Sequence, residues 1–244
     1  RRGALLSSIS RGDYMYKMTN RKPKTWIELQ DLVAHYFNFS GYEAISPFKI
    51  DTVRGEVEVD VFVKADKELG NQVICECKYW DTPIPQEKIH AFRTVVNDSG
   101  ASLGIIISKV GFQKGAFLAA DKSNIKLFTW EQFLDYLFEK WFDYRKKRLH
   151  KIAKPLSVYT DPFDVPTELF TEAQTEEYKR TVVKNIELYM IVNNINENSI
   201  DKYNEKIDGT VITIEEFFES AEQRIEVSIN YYEAFFNNFD ISDC

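Results

Sequence analysis

Asp60, Glu76 and Lys78 are the residues whose types and spacing could do chemistry. Residues 57–63 alternate strictly, with Val57, Val59, Val61 and Val63 on one side and Glu58, Asp60 and Phe62 on the other. Residues 72–80 alternate as well, setting Val73, Cys75 and Cys77 against Ile74, Glu76 and Lys78. The stretch 64–71, which contains Gly70, is of hairpin length. Pairing the two strands can therefore bring Asp60, Glu76 and Lys78 together on one face of a sheet. Charges in so apolar a setting cost free energy unless they meet something. Two carboxylates make a hard, oxygen-rich site suited to Mg²⁺ or Mn²⁺. A lysine two residues along lies on the same face, placed to orient or deprotonate a water. The trio suits phosphodiester hydrolysis, in which a cation offsets the charge of substrate and transition state. The competing reading is a salt-bridge ladder on an exposed sheet.

The surrounding pattern supplies a scaffold. Thr25 reads as an N-cap with Glu28 completing a capping box, and Trp26, Leu29, Val33 and Phe37 follow at helical spacing up to Gly41. A strand over 42–48, interrupted by Pro47, precedes the two chemical strands. Pro83-Ile84-Pro85 opens a helix with Ile89, Phe92 and Val96 inward and Gln86, His90, Arg93 and Asn97 outward. The apolar run 103–108 reads as a strand buried on both faces; a short helix after Gly115, a strand at 125–129 and a helix at 130–148 complete the order. This order, α-β-β-β-α-β-α-β-α, predicts an α/β fold, a mixed sheet flanked by helices.

The domain reading is fourfold. Residues 1–24, polar and basic, are a disordered segment or one foreign to the native protein. Residues 25–154 are the catalytic domain, 155–166 a linker and 167–244 an acidic module with helices near 168–194 and 214–239. Charge divides in the same place: residues 155–244 carry 19 acids and 6 bases, whereas 1–154 carry 19 acids and 25 bases. The basic half is the part suited to meeting phosphate. No apolar run reaches the ~20 residues of a membrane span, and the opening residues are too soon polar for a secretory signal. Three cysteines, two of them in an apolar strand pattern, predict reduced thiols and a cytoplasmic protein. Cys75-x-Cys77 alone is poor evidence for zinc.

Asp60 followed by Glu76-Cys77-Lys78 resembles the signature of the PD-(D/E)XK nuclease superfamily, and the wider pattern resembles its Mrr-type restriction endonuclease branch. The matching features are Ile27-Glu28, Gly41-Tyr42-Glu43, Glu58-Val59-Asp60, the Glu-x-Lys strand, Gln86 and the turn from Ser108 to Ala116, over roughly residues 25–140. Val59 stands where the superfamily name implies a proline. The resemblance implies a restriction-endonuclease-like fold with a C-terminal helical appendage. It implies a Mg²⁺- or Mn²⁺-dependent endonuclease cutting double-stranded DNA, in prokaryotic restriction or anti-phage defence. Asp60, Glu76 and the Cys77 main-chain carbonyl would hold the metal, and Lys78 would position the attacking water. Glu28 would support the site or a second ion, and Gln86 would orient a substrate or water group. A catalytically silent nuclease-fold binding module and a Holliday-junction or repair nuclease are the rival functions.

Arg93, Lys109 and Lys114 are candidates for touching DNA phosphates, against the plain reading that isolated basic residues solubilise. The run 145–151 either complements a helix C-terminus or grips a nucleic-acid backbone. The apolar stripe from Phe218 to Phe239 must pack on the 168–194 helix, on the nuclease domain or on another copy of the chain, and the C-terminal helices are expected to form an appendage that mediates self-association and does not contact DNA.

Overall fold

The computed structural model describes residues 15–64, 71–161, 163, 165–207 and 209–237. These fall into two compact units, one of residues 21–144 and one of 15–20 with 145–237.

In the first unit, Thr25 caps α1 (Trp26–Asn38) by accepting the Glu28 N–H at 3.1 Å. The five-stranded sheet has the order β1 (Glu43–Ile45), β4 (Val61–Lys64), β5 (Gln72–Lys78), β6 (Leu103–Ser108) and β7 (Ile125–Thr129). β4 runs antiparallel to both its neighbours, β1 and β5, while β5, β6 and β7 run parallel. β2 (Phe48–Thr52) and β3 (Gly55–Val59) form a separate hairpin. Residues 57–63 are therefore not one strand: β3 ends at Val59, Asp60 is a bend, and β4 begins at Val61. The cause is chemical. The Asp60 carboxylate accepts the Cys77 N–H at 2.6 Å, so a side chain takes the partner that strand pairing would otherwise have supplied.

α2 (Gln86–Asp98) and α3 (Lys114–Ala120) cover one face. Ile89, Phe92, Val96, Ala116 and Ala119 pack there with Phe62, Ile74 and Ile106. The alternating residues Val61, Val63, Cys75, Ile105 and Ile107 are buried too, as two-sided coverage requires. Gly104 lets α2 approach: a Cβ there would lie 2.6 Å from Val96 and 2.8 Å from Phe92. α1 meets the start of α4 (Trp130–Tyr159) through Tyr36–Trp130 and Phe37–Phe133 ring contacts.

The second unit departs from expectation in three places. α4 continues through Pro155 to Tyr159, inside the expected linker, because Leu149, Ala153 and Leu156 form a fully buried face that offsets the proline's missing N–H. The expected polar stretch before Gly209 holds α6 (Ser199–Lys206), anchored by buried Ile200 and Tyr203. Residues 15–20 are ordered against this unit. Met18 is buried, and Lys17 and Met18 carbonyls accept the Ile214 and Glu215 N–H groups at the start of α7 (Ile214–Asn237). The remainder of the expected disorder, residues 1–14, lies outside the described residues.

α5 (Glu172–Asn193) and α7 form the body of the second unit. Phe218, Ala221, Ile225 and Tyr232 are buried, with Tyr232 stacked on Tyr159 at 5.1 Å and near Tyr178 at 6.4 Å. The described part of the stripe thus packs on α5, one of the three covers expected for it, and on Tyr159; Phe239 lies outside the described residues. Arg145 corrects the basic-cluster readings. It is only 1% exposed, 5.3 Å over the Phe218 ring and 3.4 Å from Glu222 Oε1, and it sits mid-helix. It can serve neither a helix terminus nor a DNA backbone. Among the described residues, no helix is long and apolar enough to cross a membrane.

Candidate active site

The β4–β5 register, Val61 opposite Cys75, carries Asp60 opposite Glu76 where strand pairing ends. Asp60 is half-buried and both its oxygens are engaged, Oδ2 by the Cys77 N–H and Oδ1 by Gln30 Nε2, each at 2.6 Å. Burial holds its pKa above the ordinary carboxylate value, and the Glu76 carboxylate adds to that; the Cys77 N–H, Lys78 and Gln30 pull the other way. Lys78 pairs with Glu76 through Nζ and Oε1. The three expected residues are brought together. The Cys75 and Cys77 thiols are buried and pushed up in pKa, which keeps them neutral.

Glu76 and Lys78 open into a cavity of about 310 Å³ between β3, the sheet and α2, where Glu58, Trp80 and Lys88 also stand. Trp80 lies between two cations, with Lys78 Nζ 5.6 Å and Lys88 Nζ 5.8 Å from its ring centre. The cavity thus joins a carboxylate–ammonium pair to an aromatic, cation-flanked wall.

Gln30 was not among the residues expected from the sequence. The signal was present: it is a polar residue on the apolar side of α1, 6% exposed beside Leu29, Val33 and Phe37. Such a group must find a partner, and it finds Asp60. Glu28, the expected contributor from α1, instead accepts the Lys24 N–H at 2.7 Å, one residue before a reciprocal capping box. One oxygen of its carboxylate, Oε2, is thus engaged at the helix start.

Gln86 opens α2, and its amide lies against Gly115, where a Cβ would come within 2.6 Å of Oε1. It fits the α2–α3 contact. Arg93 is half-buried on α2, and Lys114 is exposed at the start of α3. Lys109 is tied to Asp81 at 2.5 Å and stands 4.4 Å over the Tyr79 ring.

The donor chemistry fits a hard divalent cation. Asp60 and Glu76 are oxygen donors, and their mutual repulsion is what such a cation relieves. Among the described residues no three His, Cys, Asp or Glu side chains converge as a ready-made metal cluster, so two carboxylates are what the side chains offer.

A family model described as a restriction endonuclease, of the Mrr catalytic type, matches residues 23–137. No curated protein matches the chain. Among solved structures, the crystal structure of a protein of unknown function, AF1548, is similar with a TM-score of 0.40 and 15% identity, covering 68% of this chain and 98% of that one. The matched segment contains α1, the whole mixed sheet and Asp60, Glu76 and Lys78. Residues 23–137 are thus similar to the catalytic domain of the Mrr-type restriction endonucleases, and the mixed sheet flanked by helices is the restriction-endonuclease-like fold that this similarity predicts.

Proposed function

We propose that this chain is a Mg²⁺- or Mn²⁺-dependent endonuclease that hydrolyses phosphodiester bonds of double-stranded DNA, serving prokaryotic defence against foreign DNA. The observation that carries the reading is the half-buried Asp60 carboxylate set opposite Glu76 at the end of the β4–β5 ladder. Asp60 and Glu76 would hold the metal. In an extended strand the N–H and C=O of one residue face the same neighbour, so the Cys77 carbonyl faces the Asp60 side and suits a third donor. The metal, when bound, supplies Lewis-acid charge neutralisation at the scissile phosphate.

The chain's own residues do the rest. Gln30 and the Cys77 N–H orient Asp60, each through one oxygen. Glu76 holds Lys78 by ion pairing, which fixes the Nζ position. From there the ammonium donates a hydrogen bond to the attacking water and positions it for attack. Trp80 and Lys88 line the same cavity and would steady the substrate backbone. Exposed Lys114 and half-buried Arg93 would contribute phosphate contacts outside it; Lys109 would have to leave Asp81 to do so. Gln86 would serve by orienting a substrate group, and Glu28 only through the helix it caps.

Incubation of plasmid with the full chain, with and without Mg²⁺, tests this reading. Metal-dependent cutting is expected, and Asp60→Ala and Glu76→Ala should each abolish it. Lys78→Ala should slow cutting by about 10²–10⁴-fold while sparing metal binding, since it removes the group that positions the attacking water and not a metal ligand. Undiminished cutting by the Asp60 or Glu76 variant would sink the assignment. Wild-type inactivity with both metals would leave a binding module in its place.

A further inference from the structure

Residues 155–244 carry 19 acids and only 6 bases, yet four of those six line two cavities that share a wall between α5 and α7. One, of about 540 Å³, is flanked by Lys184, Lys206 and Arg224; the other, of about 340 Å³, by Arg180 and again Lys184. Lys184, Asn185, Val227 and Ser228 belong to both, so the two form one groove. No Asp or Glu is among the described residues lining it. In so acidic a region, that separation of charge calls for a cause.

Helix stability provides only part of one, from Glu176 and Glu177 four and three residues before Arg180 and Glu187 three residues after Lys184. Arg180 and Lys184 stand four residues apart on α5, a spacing at which like charges destabilise a helix. On α7, whose other charged residues are all acidic, Arg224 has serines at both i−4 and i+4, Ser220 and Ser228. All three face the groove. The floor is also built. Asn185, 7% exposed, accepts the Ser228 hydroxyl at 2.8 Å and donates to the Tyr232 hydroxyl at 3.1 Å, which ties α5 to α7 beneath the cations. Acids stand just outside: Glu177 is held by Tyr231 at 2.8 Å, Glu205 lies 3.3 Å from Lys206, and Glu216 and Glu219 line an adjoining cavity that shares Ser220 and Gln223.

We infer that this groove binds a small phosphorylated ligand of nucleotide size. The volume lies in the range of small-molecule sites, ~300–1,000 Å³. Clustered lysine and arginine groups match the charge of a phosphate chain. The short reach of the basic patch decides against a nucleic acid strand, which would run on over the surrounding acids and be repelled. The inference is independent of the nuclease reading and concerns a separate unit of the chain.

Calorimetric titration of the full chain without divalent metal tests it, with ATP, inorganic triphosphate, adenosine and a short DNA duplex as probes. ATP and triphosphate should bind saturably, and adenosine should not. Lys184→Gln with Arg224→Gln should weaken ATP at least ~10-fold, because two charge-assisted contacts are lost. The unliganded melting temperature and plasmid cutting should stay unchanged. Arg180→Gln with Lys206→Gln, at the groove's two ends, should weaken ATP in the same direction and keeps the test valid if the first pair disturbs folding. The inference is overturned if neither ATP nor triphosphate binds, if adenosine binds as well as ATP, or if both double variants keep wild-type affinity. A duplex that displaces ATP and loses affinity in the variants would assign the groove to nucleic acid instead.

Discussion

At the scale of single residues, the division of labour on α1 is the point where neighbouring polar groups part company. Glu28 and Gln30 are two positions apart, so they leave the helix about 200° apart. One caps the helix start, and the other reaches Asp60. Glu28→Gln is therefore expected to leave DNA cutting near wild type, since Gln still accepts the Lys24 N–H, and to cost less than ~1 kcal/mol of stability. Gln30→Leu keeps the buried volume but frees Asp60 Oδ1, and should lower cutting by about 10–100-fold, the range for a residue that orients a metal-binding carboxylate. Plasmid assays of both variants against Glu76→Gln check the order.

Asp60 also makes a pH prediction. Its pKa is raised in the folded protein, mainly by burial, so the metal-free fold binds a proton there more readily than the unfolded chain does. The resulting stability is fully present below the ordinary carboxylate pKa and is lost as pH rises through the raised value. Metal-free Asp60→Asn, which carries no charge, should consequently melt above wild type at neutral pH, with the difference vanishing in acid. Melting curves across pH in the presence of a chelator measure it; a variant less stable at neutral pH would show that the two hydrogen bonds outweigh the burial.

At the scale of elements, the sequence pattern conveyed types better than boundaries. The helix over 130–148 was legible, but Arg145 looked like surface because its neighbours Lys146, Lys147 and Arg148 are basic. Its contact with Glu222, 77 positions along, has no local signature. Arg145→Ala is expected to cost about 3 kcal/mol, the lower end for breaking a buried pair, because Arg148 still reaches Glu222 at 3.4 Å. Arg148→Ala, at a half-exposed position, should cost under ~1 kcal/mol. Urea denaturation of the two variants separates them, and equal losses would refute the buried pairing. The β3–β4 break was invisible for a related reason. An unbroken period of two reads as one strand, and only the partner of Asp60 on β5 shows that the chain bends there.

At the scale of the whole molecule, the sequence argument for self-association rested on the Phe218–Phe239 stripe. Its described part is mostly covered within the chain, against Tyr159 and Tyr178, with Ile229 and Phe236 left half-buried. Light scattering of the full chain is expected to report a monomer. A dimer would have to use the exposed face of α5, where Val183 is 65% and Met190 61% exposed, and Met190→Glu would then dissolve it. A cut at residue 154, the domain boundary expected from the sequence, would sever α4 within its buried face, between Ala153 and Leu156.

What the sequence alone determined is the α/β class, the mixed sheet and the proximity of Asp60, Glu76 and Lys78. Those follow from a period of two on adjacent strands and a spacing that a hairpin can close, and both are local properties of the chain. The tertiary structure alone decided that Gln30 rather than Glu28 meets Asp60, that Arg145 is a core residue, and that the few cations of the acidic region converge on one groove. Each of these depends on helices distant in sequence packing at a particular rotation. Many long-range contacts set that rotation together, and no local pattern records it.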